Sequence, residues 1–116
     1  MRVLVCGGRT LDSEQVCKWL EDNLRSLVGK PTFIIDGGAP GADLGAFIFT
    51  ARRGYLGKSY HEVWNKYQDD SGPIRNQHIL SDSKPDVVVA FPGASGTLDM
   101  KARAREMGIR VIEAHL

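Results

Sequence analysis

The stretch at residues 86–100, DVVVAFPGASGTLDM, constrains the fold of this chain more than any other. Residues 87–91 form an unbroken apolar run, which is typical of a strand covered on both faces. Pro92 ends that strand, and the small residues after it let backbone N–H groups approach an anion at a helix N-terminus. We expect Ser95 or Thr97 to cap this helix. The stretch therefore predicts a strand, a glycine-rich turn and a helix that together suit a phosphate group.

Length, charge and cysteine content narrow the class of protein. A chain of 116 residues predicts one domain, residues 1–116. With 15 Lys and Arg against 14 Asp and Glu, the net charge of +1 gives no signal for nucleic acid or an anionic membrane. Cys6 and Cys17 form no CxxC pair, which indicates buried thiols. No apolar run reaches membrane-spanning length, so we expect a cytoplasmic protein.

Strands and helices alternate along the chain. Apolar runs predict strands at residues 2–6, 32–35, 58–63, 86–91 and 109–112. Capping signals and periodicity predict helices from 12 or 13 to 28 and at 42–53, 73–81 and 97–107. In the second helix the inward residues should be Leu44, Phe47, Ile48 and Ala51. The alternation predicts an α/β, doubly wound, three-layer sandwich with a mainly parallel sheet of about five strands in the order 3-2-1-4-5.

Three glycine-rich loops each follow a predicted parallel strand: GGR at 7–9, GGAPGAD at 37–43 and PGASGT at 92–97. They should meet at the carboxyl edge of the sheet, where open α/β sheets bind ligands. The loops match neither GxGxxG nor GxxxxGK[ST], which disfavours a nicotinamide dehydrogenase and ordinary ATP hydrolysis. Arg9 and Arg75 are placed to reach a phosphate. The predicted ligand-binding residues are Gly7, Gly8, Arg9, Gly37, Gly38, Gly41, Ala42, Asp43, Arg75, Asn76, Phe91, Pro92, Gly93, Ser95, Gly96 and Thr97.

Five motifs in order resemble those of the SLOG superfamily: GGR, GGAPGAD, H-x-x-W-x-x-Y, GPIRN and FPGASGTLDM. The chain is most similar to the YspA-like branch related to YpsA, which is common in bacteria and phages. The resemblance covers residues 2–111. It implies a Rossmann-like fold that binds a nucleotide or a nucleotide-derived molecule. The resemblance also implies a homo-oligomer, because the enzymes of this superfamily, the LOG-type phosphoribohydrolases, form dimers.

The enzymes of this superfamily, the LOG-type phosphoribohydrolases, cleave the N-glycosidic bond of nucleoside 5'-monophosphates. Their pattern resembles PGGxGTxxE, with an arginine on the preceding helix. Arg75 takes the arginine position, Ala94 replaces a glycine, and Met100 falls where the catalytic glutamate is expected. The positions that match the pattern are Pro92, Gly93, Gly96 and Thr97. Asp99 lies one residue earlier and would point about 100° away on the helix. The chain therefore matches the phosphate-binding positions of the LOG-type pattern and lacks its catalytic glutamate.

Several other side chains have two interpretations. Asp43 is either a carboxylate of a helix first turn or an acceptor for a ribose hydroxyl, while Asp36 flanks the same loop. Trp64 and Tyr67 could stack on a base, although packing under a loop is the simpler interpretation. His61, His78 and His115 show no metal-ligand spacing, so we expect no metal. His61 could line the pocket, although a structural role is the simpler interpretation, and His115 should be exposed. The residues expected on solvated helix faces are Arg52, Arg53, Lys101, Arg103 and Arg105.

Together these features favour a protein that binds a nucleotide or a nucleotide-derived metabolite without a cofactor. One alternative is a nucleoside-monophosphate phosphoribohydrolase that takes its carboxylate from Asp99 or Asp43. Another is a protein-interaction module whose glycine loops are vestigial. Met100 argues against the enzyme, and the intact loops argue against the vestigial module.

Overall fold

Strands and helices alternate in the computed structural model of the chain, which describes residues 1–61 and 71–116. The strands are β1 (Arg2–Cys6), β2 (Phe33–Asp36), β3 (Leu56–Ser59), β4 (Val87–Ala90) and β5 (Arg110–Glu113). The helices are α1 (Ser13–Val28), α2 (Ala42–Arg53), α3 (Ser71–Ser83) and α4 (Ser95–Glu106). Among the helices of these described ranges, none has both the length and the apolar character needed to cross a membrane.

The described strands form one five-stranded sheet in the order β3-β2-β1-β4-β5, as the sequence predicts. All four neighbouring pairs are parallel. At the centre, β1 pairs with both β2 and β4, and Val3 lies opposite Ile34 on one side and Val87 on the other. The chain order reverses between β1 and β4, and this switch point is where open α/β sheets bind ligands at the carboxyl edge.

Helices cover both faces of the sheet. Successive residues of each strand point to opposite sides, so the apolar strands present side chains to both helix layers. On one face Val3 and Val5 pack with α1 and α2; on the other, Leu4 and Cys6 pack with residues of α3 and α4. The three central strands are almost wholly buried. This is the predicted three-layer, doubly wound and Rossmann-like architecture. Both cysteines are free buried thiols, also as predicted.

The third strand begins and ends earlier than predicted, since residues 58–63 were expected and Leu56–Ser59 are found. Gly54 ends α2 in the left-handed conformation, which returns the chain to the sheet at once. The ladder with β2 ends where Ser59 pairs with Asp36. Tyr60 then turns into the core, and its hydroxyl donates to the Asp82 carboxylate at 2.6 Å. Residues 62 and 63 lie outside the described residues.

The inward face of α2 also differs from the prediction. Leu44 and Phe47 are 44% and 51% exposed, Ala51 is exposed and Ile48 is half-buried. The face that packs inward is instead formed by Ala42, Asp43, Gly45, Ala46 and Phe49. Close packing on α1 explains the rotation, because a Cβ on Gly45 would lie 2.6 Å from the Cβ of Val16. Small residues must face α1, so the larger apolar ones turn outward.

The remaining helix boundaries are close to the predicted ones. Asp12 caps α1, and its Oδ1 accepts from the backbone N–H groups of Glu14 and Gln15. α3 begins two residues before Pro73, at Ser71. α4 begins at Ser95, so the prediction that Ser95 or Thr97 would cap it is wrong: Ala94 occupies the N-cap position.

Candidate functional site

Backbone hydrogen bonds join the three glycine-rich loops at the carboxyl edge of the sheet. The N–H of Gly8 donates to the carbonyl oxygen of Pro92 at 2.8 Å, and the carbonyl oxygen of Gly8 accepts from the N–H of Ala42 at 3.1 Å. The loop after β1 is therefore bonded to both of the others. This arrangement needs small residues: a Cβ on Gly7 would lie 2.8 Å from the Cβ atoms of Ala42 and Phe91.

Gly41 is the tightest point of this junction. Its φ of +77° is a conformation that side chains with a Cβ rarely adopt, and a Cβ there would collide with the carbonyl oxygen of Gly8. The glycine thus allows the start of α2 to approach the first loop. The loop sequences that predict a ligand site also serve to dock the loops on one another.

A cavity of about 690 Å³ opens between these loops and α3. It is lined by most of the predicted residues, namely Gly7, Gly8, Arg9, Gly37, Asp43, Arg75, Asn76, Pro92, Gly93, Ser95, Gly96 and Thr97. The rest of the lining was not in the predicted set and comprises Leu4, Val5, Cys6, Thr10, Leu11, Ala39, Ile79, Ala94 and Met100. Ile79 could have been found, because it lies four residues after Arg75 on α3 and so shares its face.

Four predicted residues are not part of the cavity lining and lie behind it. Phe91 is buried in the core, where its ring meets that of Trp19 edge to face at 5.2 Å. Ala42 and Gly41 belong to the junction of the loops. Gly38 lies beside the imidazole of His61, where a Cβ would come 2.7 Å from Nδ1. These four residues hold the loops in place and do not themselves line the cavity.

The first turn of α4 forms one wall of the cavity. Among the described residues no side chain caps this helix, and its first intrahelical bond runs from the N–H of Leu98 to the oxygen of Ala94. The N–H groups of residues 95–97 therefore have no acceptor within the helix. Together with the helix dipole, they give this wall a partial positive charge that suits an anion.

Two guanidinium groups add formal positive charge to the cavity. Arg9 and Arg75 both line it, from the loop after β1 and from α3. Burial lowers the pKa of Arg75, Arg9 lowers it further, and the Asp43 carboxylate raises it. The two arginines thus act on each other electrostatically across the cavity. A bound anion would relieve that repulsion.

Asn76 lines the cavity but its amide is committed to α4. Its Nδ2 donates to the carbonyl oxygen of Gly96 at 2.9 Å and to Oδ2 of Asp99 at 3.0 Å. Asp99 also accepts from Nε of Arg103 at 2.8 Å, and it is not among the lining residues. Asn76 therefore positions the first turn of α4, and Asp99 is turned away from the cavity.

Met100 supplies part of the inner wall instead. It is only 4% exposed and lines the cavity beside Ile79 and Cys6. The position that the LOG-type pattern gives to a glutamate is therefore part of an apolar surface here. Of the described residues, Asp43 is the one acidic side chain that lines the cavity.

Asp43 is 8% exposed, and its Oδ2 accepts from the N–H of Ala39 at 3.1 Å. Burial, and then the nearby Asp36 carboxylate, raise its pKa to about 7, against the opposing effects of backbone N–H groups and Arg75. Asp36 has a structural role. It accepts from the N–H of Gly38 at 2.8 Å and from the hydroxyl of Ser59 at 2.7 Å, which ties the second loop to β3.

Two of the cationic side chains predicted on solvated helix faces are largely covered. Arg103 reaches Asp99 and Gln77, and Lys101 donates to Glu113 at 2.8 Å with its side chain 16% exposed. The other three of that set, Arg52, Arg53 and Arg105, are exposed as predicted. The helix α4 therefore uses its cations to hold neighbouring elements.

The histidines lie away from the cavity lining. His61 and His115 are exposed, and the His78 ring meets the edge of the Tyr60 ring. Within residues 1–61 and 71–116 no group of three or more His, Cys, Asp or Glu side chains is placed to hold a metal ion. Trp64 and Tyr67, for which base stacking was considered, lie outside the described residues.

Comparison of the chain with protein-family models, with curated proteins and with solved structures gives no match. The fold and the cavity define its class: a Rossmann-like α/β domain with a cavity at the switch point of a parallel sheet. The resemblance to the SLOG superfamily stays a prediction.

Proposed function

We propose that the protein binds a nucleotide or a nucleotide-derived metabolite, with the phosphate of the ligand against residues 93–97. The observation that carries this proposal is the meeting of three features in one cavity: the uncapped first turn of α4, Arg9 and Arg75. Helix N-termini and guanidinium groups both suit a phosphate, through backbone N–H groups and charge-assisted hydrogen bonds. Their position at the switch point is where doubly wound sheets bind ligands.

The size and lining of the cavity support a ligand larger than an inorganic ion. A volume of about 690 Å³ lies within the range of small-molecule sites. Leu4, Ile79 and Met100 give the inner wall an apolar surface, which suits a sugar or a base better than a second phosphate. These features also favour a binding role over an interaction module with vestigial loops.

Within the part of the chain that the structure describes, the enzyme alternative depends on Asp43. Cleavage of an N-glycosidic bond needs a carboxyl group near the sugar, and the apolar Met100 provides none. Asp99 is bonded to Asn76 and Arg103 outside the lining. Among residues 1–61 and 71–116, Asp43 is the carboxyl that lines the cavity, so a hydrolase that takes its carboxylate from these residues would use Asp43.

Location and assembly follow as further parts of the proposal. Two free buried thiols suit the reducing conditions of the cytoplasm. The exposed apolar residues Leu44 and Phe47 on α2 support a homo-oligomer, since such residues on one helix face favour association.

The test uses Ser95, the exposed first residue of α4. Ser95→Asp places a carboxylate in the anion wall, and the fold tolerates it because an acidic residue suits a helix N-terminus. We expect its affinity for adenosine 5'-monophosphate, measured by calorimetry, to fall by about 100-fold or more through repulsion. Ser95→Asn, which has the same shape without the charge, should bind within a few-fold of wild type. Equal affinity in all three proteins would place the site elsewhere.

The same samples are assayed for release of adenine by chromatography. We expect binding without release in the wild type, because loss of a general acid or base costs about 10²–10⁴-fold in rate. Met100→Glu restores the family pattern and tests whether the cavity can support the reaction. Robust wild-type release that is lost in both Arg75→Ala and Asp43→Asn would show a hydrolase instead.

A further inference from the structure

A buried carboxyl group lines the cavity that is proposed to hold an anion. Asp43 lies in the first turn of α2 and is 92% buried, with its Oδ2 held by the N–H of Ala39. Arg75 lines the same cavity and acts on Asp43 electrostatically. An ionised carboxylate here would repel a phosphate and compete with it for Arg75. The site would bind an anion better if Asp43 were neutral.

The charged and titratable groups around Asp43 come from several elements. Asp36, at the end of β2, opposes ionisation, and Arg75 on α3 favours it. Cys6 on β1 is uncharged near neutral pH, because burial raises the pKa of its thiol to about 12. Arg9, after β1, acts on Arg75, while His61 acts on Asp36 and Lys101 on Cys6. The effects of burial and Asp36, which raise the pKa of Asp43, are larger than the opposing effect of Arg75. The pKa of Asp43 is therefore about 7.

We propose that the cavity takes up a proton on Asp43 when it binds its phosphorylated ligand, so that anion binding and protonation are coupled. This inference rests on the proposed function. The ligand adds negative charge near Asp43 and engages Arg75, and both effects disfavour the ionised carboxyl. A protonated carboxyl also has an O–H that can donate to an oxygen of the ligand. Asp43 thus sets the pH range in which the cavity holds an anion.

The direction of the pH dependence follows from linkage. Below about pH 7 Asp43 is already protonated in the free protein, so affinity should change little with pH. Above it, each anion bound requires a proton from solvent, and affinity should fall by up to about tenfold per pH unit. The affinity stops falling at the pH above which Asp43 is ionised in both the free and the anion-bound protein.

Inorganic sulfate is the probe, since it remains a dianion throughout the range tested and has no titration of its own. Calorimetry of the wild type between pH 6 and pH 9 should show the predicted loss of affinity. Repeating the titration near pH 8 in two buffers of different ionisation enthalpy should show uptake of up to about one proton per sulfate. A flat profile with no proton uptake would overturn the proposal while leaving anion binding intact.

Two variants assign the proton. Asp43→Asn retains an oxygen for the Ala39 N–H and cannot titrate, so we expect a flat profile and tighter binding than wild type at pH 8.5. Asp99→Asn changes a carboxylate bonded outside the cavity and should keep the wild-type slope. A wild-type slope in Asp43→Asn would assign the proton to another group, such as Asp36, and overturn the proposal. If Asp43→Asn does not fold, the wild-type proton count decides.

A different result would overturn the proposed function itself. If the wild type binds neither sulfate nor adenosine 5'-monophosphate even at pH 6, where Asp43 is protonated, the cavity is not an anion site and both proposals fail. Binding of both ligands with no dependence on pH removes the proton coupling alone. The two failures are thus distinguishable.

Discussion

At the scale of single residues, Asp43 links the cavity to the stability of the fold. Its pKa is about 7 in the folded protein against 3.8 for an ordinary aspartate, because burial and Asp36 disfavour the charge. Between these values the folded state keeps a proton that the unfolded chain releases. This contribution to stability is therefore lost as pH rises from about 4 to 7, by about 4 kcal/mol in total.

Asp43→Asn tests this, because asparagine carries no such penalty. Relative to wild type, the variant should gain roughly 2 to 3 kcal/mol of stability between pH 5 and pH 8. The measurement is urea unfolding of both proteins at the two pH values. In the difference between the two free energies of unfolding, the contributions of the other carboxylates cancel. The same stability difference at both pH values would show that Asp43 ionises normally.

The residues that the sequence identifies at the site are those whose type has a direct physical meaning. Gly41 permits an unusual φ and a close approach, and Arg75 brings a charge, so both stand out in a glycine-rich α/β pattern. Leu4 and Cys6 line the cavity as well, yet nothing in the sequence separates them from core residues. An apolar side chain gives the same signal whether it contacts another side chain or the wall of a cavity.

At the scale of elements, the junction between the first loop and α2 determines the geometry of the site. Gly41→Ala would force a Cβ against the Gly8 oxygen in a conformation with φ of +77°, and so separate the two loops. We expect a loss of about 2–4 kcal/mol in stability, from backbone strain together with the collision.

Gly54→Ala is the matched control for that substitution. Gly54 ends α2 with φ of +70°, but a Cβ there would meet nothing within 4 Å. Gly54→Ala should lower the free energy of unfolding by only about 1 kcal/mol, which is the cost of the left-handed conformation alone. Equal losses in the two variants, measured by urea unfolding, would mean that the contact between the loops contributes nothing.

Elements are predicted well where a single face decides the pattern. The buried strands β1 and β4 give unbroken apolar runs, and their positions are confirmed within a residue. The helix α2 has two candidate faces, one with large apolar residues and one with small ones. Hydrophobicity favours the first, whereas packing on Val16 of α1 requires the second, and periodicity alone contains no information about that neighbour.

At the scale of the whole molecule, the predicted strand order is confirmed because strong general rules leave few alternatives. Alternating strands and helices, right-handed crossovers and short loops limit the topology to a doubly wound sheet. The same rules place the three loops at one edge, which is why the sequence could locate the cavity. They contain no information on partners, and assembly is the property that the single chain shows least directly.

Assembly is testable through the outward face of α2, where the large apolar side chains of Leu44 and Phe47 are exposed. We predict at least a dimer in light scattering of the wild type, with this face buried between two copies. Phe47→Glu should give a monomer with unchanged circular dichroism, because the charge cannot be desolvated in an apolar contact. Leu98→Glu is the control, since Leu98 is also exposed, at 60%, but lies on α4, which covers the opposite face of the sheet. A monomeric wild type at high protein concentration would contradict the prediction, and dissociation by Leu98→Glu alone would move the interface to α4.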